Sequence, residues 1–417
     1  MFDARIPMVK LLFRTALVLW LLNYAPFAAV ADDTPGSLWN IADLSEAPAA
    51  TWGEKSGLVQ EVFYESEPYR GHATRVFAYY ARPAEGAGPW PAMVLVHGGG
   101  GEAFAEWAKL WAERGYVALA MDTAGHGPDG KRLADGGPDQ DDNTKFRSFT
   151  AADVRQMWTY HAVAAAIRGH SLLAAQKDVD SRRIGITGIS WGGYLTSIIA
   201  GVDHRLKVAV PVYGCGFLHD NSCWVEGHFA KMTPERRQLW VGSFDPSQYL
   251  GAVECPTLFV NGTNDFAYPL DSYQKSYRLV DKKLRHLCVK VRLPHGHSEG
   301  WSIPEIGLFV DSLLKDGQPL AKIGELQNVG SAVTSTAAAA LPLNKAELHF
   351  TTDNGAWQKR EWKSTPAKFA AGATSTTGHS YTLEAVLPET RPLVYFLTVS
   401  DERGAVSSSE HAELPAK

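Results

Sequence analysis

The strongest chemical signal in the sequence lies at residues 188–192, Gly-Ile-Ser-Trp-Gly, which fit the pattern Gly-x-Ser-x-Gly. A short apolar run, 183–187, precedes the pattern, and a stretch with helical spacing, 191–200, follows the serine. In this strand–turn–helix setting the serine hydroxyl stands above the sheet, and glycines flank it because side chains there would collide with neighbouring backbone. The pattern therefore predicts Ser190 as a nucleophile.

A serine hydroxyl is a weak nucleophile until a base takes its proton, so an acid and then a histidine are expected further along the chain. Asp265 follows the apolar run 257–260, where a carboxylate at a strand end can reach an imidazole. His295 and His297 follow the next apolar run and compete as the base. The sequence favours His297, because Gly296 would let the loop turn tightly over the serine. His295 is then expected to contact substrate.

A glycine-rich segment supplies candidates for stabilising the negative charge that develops on an attacked carbonyl. His97 follows an apolar run and is itself followed by four glycines. Glycine backbone can approach a substrate closely, and preorganised N–H groups stabilise the oxyanion of acyl transfer. We assign one donor to Gly98 or Gly99 and the other to the N–H of Trp191. A phosphate-binding loop would require a following Gly-Lys-Ser/Thr, which this segment lacks.

A strand is predicted at 90–96, helices at 151–176 and 304–314, and a long surface loop at 125–147. Apolar runs alternate with segments of helical spacing throughout residues 90–314. This alternation predicts an α/β fold, a mostly parallel sheet with helices on both faces, preceded by antiparallel strands within 62–81. Residues 321–342 are expected to form a linker or a first strand. From about residue 345 short alternating segments are separated by turn residues, which predicts a small all-β sandwich of the fibronectin or immunoglobulin type.

The N-terminal residues have the pattern of an export signal. Basic residues precede the apolar run 16–22, and Ala29-Val30-Ala31 forms a small-x-small cleavage site. The sequence predicts a signal peptide over 1–31 and a periplasmic or secreted protein, with an N-terminal membrane anchor as the alternative. Because the run is short for a membrane span, a signal peptide is favoured over an anchor. Once the signal peptide is cleaved, no stable membrane insertion is expected. The predicted domains are then 32–320 and 331–417.

Composition limits the partners and leaves the cysteine chemistry open. The 40 Lys and Arg residues are outnumbered by 45 Asp and Glu, and no basic run occurs, so nucleic acid is not an expected partner. Four cysteines allow three pairings, and Cys215 and Cys223 are favoured as a disulfide because they bracket one short loop. Cys255 and Cys288 form a second pair on neighbouring strands or remain buried free thiols. No pair of cysteines has the Cys-x-x-Cys spacing, so no metal site is indicated.

Four segments together resemble the acetylxylan esterase and prolyl-oligopeptidase branch of the α/β-hydrolases: HGGGG, GISWGG, NGTNDFAYP and PHGHSEGW. The resemblance covers roughly residues 55–317. It implies an α/β-hydrolase fold and a serine hydrolase that needs no cofactor. Carried over residue by residue, it implies Ser190 as nucleophile, Asp265 as acid and His297 as base. The paired histidines depart from the pattern, and they leave the identity of the base open.

The predicted function is hydrolysis of carboxylic esters through an acyl-enzyme. The resemblance and the export signal suggest a small-molecule ester or an acetylated glycan as substrate. Tyr268 and Trp301 are candidates to stack on sugar rings, or else to pack the loops. Two other functions stay open: a serine exopeptidase, with Glu226 as the anchor for a peptide terminus, and a binding protein without catalysis. The C-terminal sandwich is expected to make a fixed contact and to supply no catalytic group.

Overall fold

A computed structural model describes Met1, residues 38–375 and residues 378–416. From Leu38 onwards the described residues belong to one compact unit. The predicted signal peptide lies outside the described residues, apart from Met1. In the part of the chain that the structure describes, no helix is both long and apolar enough to cross a membrane.

In the described residues, nine strands form the large sheet: β1 Ala50–Ser56, β2 Val59–Tyr69, β3 His72–Ala81, β4 Trp90–Val96, β5 Val117–Met121, β6 Val179–Ile189, β7 Ala209–Val212, β8 Thr257–Gly262 and β9 Arg285–Lys290. Their spatial order is β1-β2-β3-β5-β4-β6-β7-β8-β9. The pairs from β1 to β5 are antiparallel. The remaining neighbours, β5–β4, β4–β6, β6–β7, β7–β8 and β8–β9, pair in parallel. The sheet is therefore mostly parallel, and its antiparallel strands lie at one edge.

Every residue of β5 and of β8 is buried. Because successive side chains of a strand point to opposite faces, this burial means that both faces of the sheet are covered. The helices of the described residues are α1 Ile41–Leu44, α2 Ala105–Glu113, α3 Asp142–Lys145, α4 Trp158–Ala174, α5 Trp191–Val202, α6 Pro234–Phe244, α7 Leu270–Tyr277, α8 His297–Trp301 and α9 Pro304–Leu314. The predicted α/β architecture is confirmed.

One predicted helix is shorter than its sequence pattern. The pattern covers 151–176, but α4 begins only at Trp158. Asp153 accepts hydrogen bonds from the backbone N–H and the hydroxyl of Thr150, at 2.5 and 2.7 Å. Such local side-chain bonds compete with helical hydrogen bonds. Residues 150–157 therefore form turns and a short 3-10 segment before the helix starts.

The C-terminal β-region, which we define as residues 322–414, contains two antiparallel sheets. One has the order β10-β12-β16-β15 with β11 on β12, and the other β14-β13-β17-β18 with β19 on β17. Their strands are β10 Lys322–Ile323, β11 Gln327–Val329, β12 Ala332–Ala339, β13 Leu343–Thr351, β14 Lys363–Pro366, β15 Lys368–Ser375, β16 Gly378–Val386, β17 Leu393–Asp401, β18 Val406–Ser408 and β19 Ala412–Leu414. Buried side chains of both sheets share one apolar cluster, as in a β-sandwich. Residues 321–342 supply three of these strands, so they are not a linker.

Three of the described histidines have a pKa that burial lowers to about 4. Burial lowers the pKa of His161 to about 4. Burial, with Lys322 nearby, lowers the pKa of His286 to about 4, and burial, with His97 and His295 nearby, does the same for His297. In an unfolded chain these side chains titrate near ~6.5. Between that pH and about 4 the unfolded state binds more protons, so the free energy of unfolding falls as the pH is lowered.

We therefore expect a lower melting temperature at about pH 5 than at about pH 7, and part of the difference should come from His161. Its buried ring packs edge-on against Tyr69 and Tyr160, which a phenylalanine ring can also do. His161→Phe should lose less melting temperature between the two pH values than the wild type. His72→Phe, at an exposed position, is the control and should follow the wild type. An unchanged loss in His161→Phe would contradict this account.

Candidate active site

Ser190 lies on a strained turn between β6 and α5. Its φ of 59° and ψ of −117° are unusual for a residue with a side chain, and such strain is typical of a nucleophile on a sharp strand–helix turn. A Cβ atom at Gly188 would lie 2.2 Å from the carbonyl oxygen of Gly192, and one at Gly192 would lie 1.9 Å from that of Val96. The collision expected from the sequence is therefore present at both glycines.

One imidazole joins the serine to a buried carboxylate. The Nε2 atom of His295 lies 2.9 Å from Ser190 Oγ, and its Nδ1 atom lies 2.6 Å from Asp265 Oδ2. Asp265 follows β8, and its Oδ1 atom accepts the backbone N–H groups of Ala267 and Tyr268 at 2.9 and 2.8 Å. The carboxylate is thus fixed by backbone on one side and faces the imidazole on the other.

The geometry corrects the choice between the two histidines. His297 Nε2 accepts a hydrogen bond from the N–H of Gly98 at 3.0 Å, so this ring faces the glycine segment instead of Ser190. Gly296 has φ −167° and ψ 165°, an extended backbone, so the tight turn that favoured His297 does not form. Because its pKa is lowered to about 4, the ring is neutral and can accept the Gly98 N–H. The contacts expected of His297 are made by His295.

Aromatic rings hold the His295 side chain in place. Tyr213 stacks on it with ring centroids 4.4 Å apart, and the Tyr213 hydroxyl donates to the carbonyl of Pro294 at 2.7 Å. Phe266 lies edge-on at 4.8 Å and is 56% exposed at the pocket. Tyr268, expected to contact substrate, is fully buried and parallel to His295 at 6.2 Å. It packs beneath the imidazole and does not face the pocket.

The glycine segment after β4 is held by several hydrogen bonds. The buried His97 accepts the N–H of Thr123 on Nε2 at 2.9 Å. The N–H of Gly101 donates to the carbonyl of Gly98 at 3.1 Å, and Gln140 Nε2 donates to the carbonyl of Gly101 at 3.1 Å. The segment is therefore a preorganised backbone next to the serine, which the stabilisation of an oxyanion requires.

Of the two alternatives for the first oxyanion donor, the geometry favours Gly99. The N–H of Gly98 already donates to His297. In the described residues no hydrogen bond uses the N–H of Gly99. Trp191, the other proposed donor, is the first residue of α5, where backbone N–H groups have no partner within the helix. Gly99 and Trp191 are adjacent, since a Cβ atom on Gly99 would lie 2.9 Å from the Trp191 ring.

A pocket of roughly 790 Å³ opens over Ser190. Its apolar wall includes Trp191, Trp224 and Phe266, and its polar wall comes from residues 126–145. That segment belongs to the stretch 125–147, which is predicted as a surface loop, and no motif in it indicated a part in the site. Glu226, the peptide anchor weighed above, is exposed and is not among the described residues that line the pocket.

The polar wall is organised around a buried lysine. The Lys145 ammonium lies 3.0 Å from Asp142 and 4.7 Å from the centre of the Trp191 ring. Trp224 Nε1 donates to the same carboxylate at 3.3 Å. Burial lowers the pKa of Lys145, and the nearby Asp142 opposes that shift. These contacts fix the side chains of Trp191 and Trp224 relative to each other in the apolar wall of the pocket.

Trp301, the other aromatic expected to contact substrate, lies elsewhere. It lines a separate cavity of roughly 270 Å³ and stacks on Trp107 with centroids 5.5 Å apart. Ile189 borders both this cavity and the main pocket. The Trp301 ring therefore packs behind the nucleophile turn.

The favoured disulfide is not formed, because Cys215 and Cys223 are both free. Cys215 is fully buried after β7, whereas Cys223 lies in an exposed loop, so the two thiols face different surroundings. Burial raises the pKa of the Cys215 thiol well above its usual value. Within the described residues, no group of three or more His, Cys, Asp or Glu side chains is arranged to hold a metal ion.

Comparison with known proteins identifies the fold. Residues 58–226 match the family model described as acetyl xylan esterase (AXE1). The solved acetyl xylan esterase from Paenibacillus sp. R4 is 20% identical and gives a TM-score of 0.56, covering 69% of this chain and 97% of that one. The chain has the α/β-hydrolase fold. At this identity the likeness to the solved structure shows the fold alone.

Two curated relatives of this chain come from bacteria. "Acetyl esterase Axe7A" of Xylanibacter ruminicola is 23% identical over 55% of this chain and 53% of its own length. "Uncharacterized peptidase YuxL" of Bacillus subtilis is 24% identical over 65% of this chain and 38% of its own length. The chain thus spans about half or less of each relative. The resemblance to the branch that contains both acetylxylan esterases and peptidases is confirmed.

Proposed function

We propose that this α/β-hydrolase cleaves carboxylic esters through an acyl-enzyme on Ser190. The observation that carries the proposal is the His295 ring, which contacts Ser190 Oγ at 2.9 Å and Asp265 Oδ2 at 2.6 Å. A nucleophile, a base and an orienting carboxylate in this arrangement define a serine hydrolase. The named acetyl esterase among the relatives supports an ester as substrate.

Each residue has a defined part in the proposed reaction. The Ser190 hydroxyl passes its proton to His295 Nε2 as its oxygen bonds to the ester carbonyl carbon. Asp265 accepts the Nδ1–H of His295, which fixes the tautomer and stabilises the imidazolium. The bond to the leaving alcohol then breaks, and His295 returns the proton to the alkoxide. Water activated by His295 next attacks the acyl group, releases the acid and restores Ser190.

The negative charge on the tetrahedral oxygen is proposed to meet the N–H groups of Gly99 and Trp191. Both belong to segments that are fixed before substrate binds, so little reorganisation is needed. We assign His297 the task of holding the first of these segments through its bond to the Gly98 N–H. No metal or organic cofactor takes part in this scheme.

The pocket supports a substrate larger than its acyl group. A volume of roughly 790 Å³ lies within the usual range for ligand pockets and leaves room for a sugar unit beside a short acyl chain. The exposed ring of Phe266 stands at the pocket next to His295, where a sugar ring can stack. We therefore keep a small-molecule ester or an acetylated glycan as the proposed substrate.

A matched substrate series tests this proposal. The panel contains 4-nitrophenyl esters of increasing acyl length, acetylated xylo-oligosaccharides, and aminoacyl 4-nitroanilides for the peptidase alternative. We expect the highest kcat/KM on acetyl esters and little turnover of the anilides. Higher kcat/KM on the anilides would replace the esterase with a peptidase. No turnover of any member would favour the binding-protein alternative.

The proposal includes a periplasmic or secreted location and a division of the chain into 1–31, 32–320 and 331–417. Both rest on the sequence pattern. Fractionation of expressing cells, with the mass of the purified protein, tests the export part. The expected mature chain begins at Asp32. Recovery of an unprocessed chain in the membrane fraction would favour the anchor.

A further inference from the structure

We infer that the C-terminal β-region positions the catalytic acid, because its residues 357–360 hold both neighbours of Asp265. The inference rests on the proposed function, since it gives Asp265 a catalytic task. It assigns Asn264 as a positioning residue that acts through Asp265. It also extends the sequence-based expectation for this region, which foresaw a fixed contact but no part in the active site.

Asn264 links the acid loop to the C-terminal β-region through its side-chain amide. Its Nδ2 atom donates to the backbone carbonyls of Gln358 and Arg360, at 3.2 and 2.8 Å. Its Oδ1 atom accepts the hydroxyl of Thr263 at 2.8 Å, and that hydroxyl accepts the N–H of Arg292 at 2.9 Å. Both ends of the amide are therefore used, and the acid loop is tied to a segment nearly a hundred residues further along the chain.

The residue on the other side of Asp265 is held by the same segment. Gln358 Nε2 points to the carbonyl oxygen of Phe266 at 3.5 Å, a long hydrogen bond. The Phe266 ring in turn contacts the His295 ring edge-on at 4.8 Å. Residues 357–360 thus hold the side chain of the residue before the carboxylate and the backbone of the residue after it, and through Phe266 they also approach the base.

The holding segment is itself firmly anchored. Trp357 and Trp362 are buried in one apolar cluster with Leu270 and Val289 of the α/β part. The guanidinium of Arg360 lies 3.6 Å from the centre of the Trp357 ring. Tryptophans bury a large apolar area, so this contact is costly to open. The carbonyls that Asn264 reaches are therefore fixed in space.

Such anchoring bears on rate because the acid stands in a loop. The carboxylate takes its backbone N–H bonds from residues 267 and 268, which belong to the same turn as Asp265 itself. Loops are more mobile than the strands they follow, unless other contacts hold them. A displacement of about 1 Å in a catalytic group can cost up to 10²-fold in rate.

The test compares Asn264→Ala with Gln274→Ala. Gln274 on α7 also donates its amide to a carbonyl of the C-terminal β-region, that of His411 at 2.7 Å, but it does not adjoin the acid. Each variant removes one side-chain amide that donates to a backbone carbonyl of the C-terminal β-region. With 4-nitrophenyl acetate we expect kcat of Asn264→Ala to fall by about 10- to 100-fold with little change in KM. Gln274→Ala should keep kcat near the wild-type value with a similar change in melting temperature.

A double-mutant cycle separates positioning from general destabilisation. If Asn264 acts through Asp265, adding Asn264→Ala to Asp265→Ala should leave the residual kcat nearly unchanged. Asn264→Asp keeps the shape of the side chain but lacks the amide donor. It replaces Asn264→Ala in this test if the alanine variant does not fold. Wild-type kcat in the Asn264 variant, or the same fold-loss in the Asp265→Ala background, would overturn the inference. Full activity of Asp265→Ala itself would instead overturn the proposed function.

Discussion

Ser190→Ala is expected to lower kcat for ester hydrolysis by a factor on the order of 10⁶, leaving only what the oxyanion donors and substrate binding contribute. The reason is that the acyl-enzyme cannot form without the serine oxygen, and His295 then has no hydroxyl to deprotonate. Initial rates on 4-nitrophenyl acetate, measured with wild type and variant at matched concentration, give the comparison.

The same substitution should leave the fold intact. The Ser190 side chain is only partly buried, and its hydroxyl bonds to His295 and not to the core. The melting temperature of Ser190→Ala should therefore stay close to that of the wild type. If a folded Ser190→Ala protein keeps a large share of wild-type kcat, the nucleophile has been assigned to the wrong residue.

His295→Ala and His297→Ala are expected to differ by several orders of magnitude in kcat. When residues act as one catalytic unit, the losses of kcat from their separate substitutions do not add. We therefore expect His295→Ala to lose about as much kcat as Ser190→Ala, and the double variant to lose little more kcat than either single variant. His297→Ala removes the acceptor for the Gly98 N–H and a ring that packs against Phe104, but leaves the base in place. Its loss should stay below the 10²–10³-fold typical of deleting an oxyanion donor.

Conservative variants refine this comparison. Glutamine at position 297 keeps a neutral acceptor, so His297→Gln should recover part of the activity that His297→Ala loses. Glutamine at position 295 cannot act as a base, so His295→Gln should stay inactive. The opposite ranking of the two positions would return the base to His297 and contradict the geometry of the site.

The sequence predicted the parts of this molecule whose structure is decided locally. β4 and α9 have the predicted bounds, 90–96 and 304–314, because each is a periodic apolar segment with clear breaks at both ends. The choice of Ser190 and Asp265 also followed from local signals, a Gly-x-Ser-x-Gly turn and an aspartate three residues after a strand. Each of these features depends on a few neighbouring residues.

Features decided by distant contacts were missed. The choice of His295 over His297 depends on where the ring of Tyr213 lies and on the Gly98 N–H, and neither is visible in a loop sequence. The pocket wall around Lys145 comes from a Gly- and Asp-rich stretch, and the conformation of that stretch depends on contacts with aromatic residues such as Trp191. The contact of Asn264 with residues 358 and 360 joins segments far apart in sequence.

Some missed elements did carry local signals. Helix α6 begins with Thr233 as N-cap, whose hydroxyl accepts the N–H of Arg236 at 3.3 Å, and has Pro234 in its first turn. Both features are common at helix starts. By contrast, β12 is rich in alanine, a residue depleted in strands, and it is extended because it pairs along its full length with β16. In β12, pairing with β16 therefore outweighs the low preference of alanine for strands.

Covalent labelling decides whether Ser190 is a nucleophile activated by His295. The full-length protein is treated with a fluorophosphonate, digested, and analysed by mass spectrometry. We expect one adduct, on Ser190, that forms far more slowly in His295→Ala than in His297→Ala and is absent in Ser190→Ala. An adduct on another residue, or none in the folded wild-type protein, would contradict this assignment.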